Sequence, residues 1–229
     1  MEKNRENEMI YFFTQIPFLA PAVMEKMLER AGSISEIFNI EEKQWIEWKL
    51  LSPGKAESLA KAKENFSSIT AEYHSLEKRG IKFITILDEA YPKRLRQIKH
   101  YPWGLYVRGS LPGEEKPVLA IVGSRTATRY GMELARCFGQ ELAGAGVEIV
   151  SGLAAGVDGA GHRGALQGGG RTFGVLGCGI NICYPRENYP LFEQMLETGG
   201  IISEFPLGTK PLAQNFPVRN RIISGLSDG

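Results

Sequence analysis

Apolar side chains recur at helical spacing through the first third of the chain: Ile10, Phe13 and Ile16, then Val23 and Met27, and later Leu59, Ala62 and Phe66. Positions three and four apart share a helix face, so the pattern predicts several short helices over residues 1–80, divided by turn signals at Pro21, Gly32 and Pro53-Gly54. From Ile81 the period changes. Residues 81–86 read as a strand, 91–98 as a short helix and 105–107 as another strand. The continuous apolar run 118–122 has the character of a strand buried on both faces. It is followed by a helix over 130–145, with Leu134, Phe138 and Leu142 on one face, and a strand at 147–150. A helix near 158–167, a strand at 172–176, a helix near 187–197 and a strand at 201–202 complete the series. This alternation calls for a parallel sheet with helices on both faces, and such sheets place ligands outside the C-terminal ends of their strands.

Composition narrows the class. The 229 residues carry 27 basic and 26 acidic side chains and three cysteines, which excludes a basic tail binder, a disulfide-stapled mini-domain and a disordered polyampholyte. A chain of this size buries roughly 70% of its unfolded surface, enough for a core without metal or cofactor. No run approaches the roughly 20 apolar residues of a membrane span. The charged start, MEKNRENEM, does not read as a signal peptide, so a cytoplasmic protein is expected. Cys137, Cys178 and Cys183 lack metal or redox spacing and are expected to be buried small hydrophobes.

Charge and glycine are unevenly spread. Residues 1–116 hold 12 Lys, 6 Arg and 6 Gly, whereas 117–229 hold 8 Arg, the single Lys210 and 21 Gly. Arginine is the better fork for phosphate oxygens, and the glycines cluster at predicted strand ends. The first such loop is Gly123-Ser124-Arg125: a backbone open to close approach, a hydroxyl and a charged fork. The second, Ser151-Gly152-Leu153-Ala154-Ala155-Gly156-Val157-Asp158, leads into a helix carrying His162 and Arg163. Its backbone N–H groups would face an anion while Asp158 caps the helix. The third runs from Leu176-Gly177-Cys178-Gly179 through Asn181 to Tyr184-Pro185, Arg186 and Asn188. None spells the dinucleotide fingerprint or a P-loop. Near the end, Phe216-Pro217-Val218-Arg219-Asn220-Arg221 joins an aromatic face to two guanidinium groups, a combination suited to phosphate neutralisation and base stacking.

In this order the segments Val122-Gly123-Ser124-Arg125, Ser151 to Asp158 with His162, Leu176-Gly177-Cys178-Gly179 with Tyr184-Pro185 and Asn188, Ser203-Glu204-Phe205-Pro206 and Phe216 to Ile223 closely resemble the bacterial DNA-processing protein A (DprA/Smf) family, over about residues 90–229. The resemblance implies a Rossmann-like, mostly parallel α/β domain over 81–229, preceded by a small helical module at 1–80 similar to SAM or helix-hairpin-helix domains. It implies a cytoplasmic, non-catalytic protein without cofactor that binds and protects single-stranded DNA in natural transformation, competence and recombination. RecA recombinase, which it helps load, and a second copy in a homodimer are the implied partners. Carried over by motif, Gly123, Ser124 and Arg125 would hold phosphate beside Ser151, Gly152 and Gly156, with Phe216, Arg219, Asn220 and Arg221 lining the same pocket. His162, Arg163, Arg171 and Lys210 stand as further DNA-contact candidates. Two departures stand out: Asn181 occupies a position where the family usually has Asp, and family members continue past Gly229 with further strand and helix, so an open sheet edge is expected.

The competing expectation is an enzyme on a related fold, a nucleotide phosphoribohydrolase of the LOG type, using the same loops on a mononucleotide. Its P-G-G-x-G-T-x-x-E pattern is not found, and His74, His100 and His162 are scattered rather than paired with a nucleophile or a carboxylate pair. A protein-interaction role for the helical module is compatible with either.

Overall fold

The computed structural model describes residues 2–229, the side chain of Glu2 excepted. Six helices open the chain: α1 (Glu2–Thr14), α2 (Pro21–Ala31), α3 (Ile34–Asn39), α4 (Glu42–Glu47), α5 (Pro53–Glu64) and α6 (Phe66–Ser75). The turn signals fall at helix boundaries. Pro21 and Pro53 take first-turn positions, where the missing N–H is no loss, and Gly32 ends α2 at φ +89°.

The sheet contains β1 (Lys82–Thr85), β2 (Gly104–Gly109), β3 (Val118–Ala120), β4 (Glu148–Ser151), β5 (Thr172–Val175) and β6 (Gly200–Ser203), in the order β1-β2-β6-β5-β4-β3. β3 to β6 pair in parallel, and β1 and β2 are added antiparallel beside β6. The four parallel strands are consecutive both in space and in sequence. Right-handed crossovers therefore stack their connecting helices, α7 (Arg129–Gly144), α8 (Val157–Gln167) and α9 (Tyr189–Thr198), on one face. A last helix, α10 (Asn215–Leu226), packs against β3, β4 and β5; the apolar pattern had not announced it. The predicted helix over 91–98 is a five-residue 3-10 turn, Lys93–Gln97.

One apolar core runs from the helical segment into the sheet. Tyr11 of α1 meets Phe83 of β1 edge-on at 5.0 Å, and Phe83 in turn meets its cross-strand partner Tyr106 at 4.8 Å. Burial pushes the Tyr106 hydroxyl up to about 12, and it accepts from the Gln15 amide at 2.9 Å. Asn7 of α1 adds polar bonds to Thr85 and Asp88.

Helix α7 corrects a simple reading of periodicity. Its seam with α8 is made by Ala135, Gly139 and Ala143, all buried. A Cβ on Gly139 would lie 2.3 Å from the Gly161 carbonyl, and one on Gly164 would lie 2.0 Å from the Arg136 carbonyl. Backbone meets backbone there, and the larger apolar residues are turned outward: Tyr130 is 75% and Phe138 53% exposed. Cys137 is likewise exposed and Cys183 half-buried, so only Cys178 follows the expectation of a buried small hydrophobe. The outer edge of β3 is met by the last two residues: Asp228 N–H donates to the Val118 carbonyl at 2.7 Å, and Ala120 N–H to the Gly229 carbonyl at 2.8 Å. Among the described residues, no helix is long and apolar enough to cross a membrane.

Candidate nucleic-acid interface

The C-terminal ends of β3, β4 and β5 run into the three glycine-rich loops, and α10 lies beside them. Phe216, Arg219, Asn220, Ile223 and Ser224 repeat along α10 at helical spacing and, with Ser227 just beyond the helix, line a cavity of about 440 Å³ whose other lining includes Val122, Gly123, Arg125, Ala154 and Asp158. Guanidinium groups far apart in sequence converge on one ring: the Arg125 carbon sits 4.6 Å and the Arg219 carbon 5.9 Å from the Phe216 centroid. Tyr184 continues the aromatic surface, its ring 5.8 Å from Phe216 at 31°.

The two arginines differ in freedom. Arg125 is exposed. Arg219 is only 4% exposed; its Nη1 donates to the Gly152 carbonyl at 2.8 Å and to the Val175 carbonyl, pinning α10 to the ends of β4 and β5. Burial lowers its guanidinium below the ordinary arginine value, with Asp158 opposing that shift and Arg125 adding to it. Arg219 therefore supplies charge behind Phe216, and Arg125 is the fork that reaches solvent.

The loops are shaped by a carboxylate. Asp158, 6% exposed, accepts from Gly123 N–H at 3.3 Å and from Gly152 N–H at 3.1 Å. The expectation that these amides face an anion while Asp158 caps its own helix needs correction. The residue before α8 is Gly156, without a side-chain cap, and Asp158 ties two loops together with the amides a phosphate would have used. Gly156 itself adopts φ +76°, and a Cβ there would lie 2.2 Å from the Ser124 carbonyl, so this close crossing of loops requires glycine. Leu153, buried at φ +53°, is held in its strained conformation by Asn188, whose Nδ2 donates to the carbonyls of Leu153 at 3.0 Å and Ala154 at 3.1 Å.

The other candidates separate by position. Ser124 is exposed, its hydroxyl accepting from Thr126 N–H at 3.2 Å, and Ser151 is buried, donating to the Ile121 carbonyl at 2.5 Å. Asn220 is exposed in the cavity wall beside Arg219. Arg163 is exposed near Asn188, 3.5 Å from its side-chain oxygen, and Lys210 is exposed on the loop between β6 and α10. Of the sequence candidates, Gly123, Arg125, Phe216, Arg219 and Asn220 line the cavity and the others do not, three of them because they are engaged elsewhere. Arg221 turns away and pairs with Glu204, a carboxylate that burial pushes up. Arg171 precedes β5, at the opposite end of the strands, and is engaged by Glu148 at 2.5 Å and the Ser110 hydroxyl at 2.8 Å. His162 is fully buried, with Nδ1 2.6 Å from the Thr172 hydroxyl, and burial depresses it to about 3, so it stays neutral. Asp158, Tyr184 and Asn188, noted from sequence only as a helix cap and as parts of the loop motifs, were not assigned to the site. An acidic residue directly after a glycine loop, and an aromatic before proline at a strand end, were the available signals. Asn181, at the departure from the family pattern, accepts from Gly208 N–H at 2.9 Å, a bond an aspartate would make equally well. Among the described residues, no cluster of three His, Cys, Asp or Glu could hold a metal ion.

Fold and cavity together define a Rossmann-like α/β domain with a guanidinium-aromatic pocket at the C-terminal ends of its parallel strands. The family model for DNA recombination-mediator protein A matches residues 82–229. Protein Smf of Escherichia coli is 46% identical over 71% of this chain and 44% of its own length, and DNA processing protein DprA of Bacillus subtilis is 40% identical over 66% and 52%. Among solved structures, DprA from Streptococcus pneumoniae superposes with a TM-score of 0.79 at 29% identity, covering 96% of this chain and 75% of that one. DNA processing protein A from Helicobacter pylori, whose structure describes a single-stranded DNA binding mode, gives 0.56 at 30% identity over 64% and 66%. The chain belongs to the DNA recombination-mediator protein A family. It spans about half the length of the curated relatives it matches.

Proposed function

We propose that this chain is a non-catalytic binder of single-stranded DNA, acting in the cytoplasm to hold and protect strands during transformation and recombination. The observation that carries the reading is the stack in which Arg125 and Arg219 meet on Phe216 at the mouth of the strand-end cavity. An aromatic face accepts any base, and a solvent-facing guanidinium accepts any phosphate, so the pocket suits an unpaired strand without sequence preference. Its principal contacts are Arg125, Phe216, Asn220 and Ser124, with the exposed Arg163 and Lys210 as further candidates for the DNA backbone. Family membership supports two further partners, RecA recombinase and a second copy of the chain, and supports a division into a helical module at 1–80 and a DNA-binding domain at 81–229.

The enzymatic alternative lacks support from the histidines. His74 and His100 are exposed, each 3.0 Å from a partly buried glutamate of the helical segment, Glu8 and Glu25, and His162 is sealed in the core. Titration with labelled single- and double-stranded oligonucleotides, run beside a mononucleotide hydrolysis assay, tests the proposal. Preference for the single strand without turnover is expected; release of free base from a nucleoside monophosphate would favour the phosphoribohydrolase reading.

A further inference from the structure

Beyond Tyr184 the third loop shapes a second depression that the pocket described above does not include. It is lined by Asn181, Ile182, Cys183, Arg186 and Tyr189, with a volume of about 550 Å³, the size of a nucleotide site. Tyr189 is 54% exposed, yet its ring is not loose: it stacks at 7° on Phe192, which is 2% exposed, with centroids 6.3 Å apart. Arg108 also lies over the Phe192 ring, 5.2 Å from its centroid, and is itself 3.9 Å from Glu193. A backed aromatic ring facing solvent is a platform whose ordering cost has already been met in folding.

The groove is continuous in chain with the strand-end pocket, because the segment from Asn181 to Tyr189 contains Tyr184, the ring that also meets Phe216. Phe216, Tyr184 and Arg125 share the strand-end pocket, and Tyr184 stands in the chain between groove residues Cys183 and the exposed Arg186. Asn181 is fixed through its side-chain oxygen by Gly208 N–H, while its Nδ2 amino group has no protein partner among the described residues. Among the described residues, Arg186 is the sole cation lining the groove, and Glu187 and Glu193 lie close enough to reinforce the upward shift that burial imposes on the Cys183 thiol. That charge balance disfavours a run of phosphates and suits a base face with one backbone contact.

We infer that this groove is a second stacking subsite, taking the nucleotides of a single strand that continues out of the Phe216–Tyr184 pocket, with Tyr189 as the platform and Arg186 as the backbone contact. The inference rests on the proposed single-strand reading and extends it. Oligothymidylates from about 4 to about 20 nucleotides, the range of known single-strand sites, provide the test by fluorescence anisotropy on the full chain. Tyr189→Ala should weaken the longer strands about tenfold and leave the shortest that binds unchanged, and Tyr189→Phe, which keeps the ring, should restore the difference. Equal weakening at every length would overturn the subsite. So would unchanged binding at all lengths in a protein whose Arg125→Ala variant is impaired. Failure of the unsubstituted chain to bind any strand would instead remove the reading beneath it.

Discussion

Replacing Arg125 by alanine removes the one guanidinium of the strand-end pocket that faces solvent. The fold should not register the change. Arg125 is exposed and makes no hydrogen bond among the described residues, so stability should move by less than about 0.5 kcal/mol. Binding should register it twice. A charge-assisted bond to phosphate contributes about 1.5–3 kcal/mol, which corresponds to roughly 10- to 150-fold in affinity at low salt. One fewer neutralised phosphate should also flatten the plot of log affinity against log salt by about 0.7 for a single strand. Anisotropy titrations of labelled oligonucleotides at several salt concentrations measure both quantities, and Arg125→Lys should keep the slope while losing part of the affinity. A slope unchanged in the alanine variant, or a loss that depends on base composition, would refute the phosphate mechanism.

Further outcomes follow from contacts elsewhere. Arg221→Ala should leave strand affinity unchanged while costing about 2–3 kcal/mol in urea unfolding, because it strips the partner from Glu204, whose side chain is only 10% exposed. Asp158→Ala frees the N–H groups of Gly123 and Gly152 and should cost about 2–4 kcal/mol, read as a lowered unfolding midpoint and faster amide exchange in both loops. Gly164→Val should be among the most damaging substitutions in the chain, above about 3 kcal/mol, since even a Cβ would lie 2.0 Å from the Arg136 carbonyl; a variant of unchanged midpoint would refute the backbone seam. His162 takes up its proton near 6.5 when unfolded but only near 3 when folded. As pH falls below 6.5 the unfolded state gains a proton that the native state refuses, so stability should fall progressively as pH drops from 6.5 towards 3. Glu204, with its raised value, works in the opposite sense. The difference between the wild type and His162→Gln in unfolding at each pH isolates the histidine, and parallel curves would refute its assignment as a buried neutral group.

The alternation of strands and helices from residue 118 onward was legible because strands buried along their whole length, as β4, β5 and β6 are, leave apolar runs that surface elements do not; the run 118–122, read as such a strand, is instead the three-residue edge strand β3, with Leu119 and Ala120 only partly buried and Val122 58% exposed. What periodicity could not separate was the apolar stripe of α7 from its contact face. Leu134 and Phe138 mark a helix correctly, but the contact is made by glycine and alanine, which carry almost no hydropathy signal. The same blindness explains the arginines near the end. Without α10 assigned, Arg219 and Arg221 looked equivalent; on a helix, residues two apart project about 200° from one another, so one reaches Phe216 and the other Glu204. Arg171 was misplaced for a simpler reason: it stands before its strand rather than after it, and a parallel sheet sends the two ends to opposite sides of the molecule.

Asp158 behaves as a tethered stand-in for the anion the neighbouring turns would otherwise await. Because that internal counter-charge sets the turns in advance, an arriving strand finds a rigid seat and little left to organise, but also gives up the amide bonds that would hold it long. Such a seat favours rapid exchange.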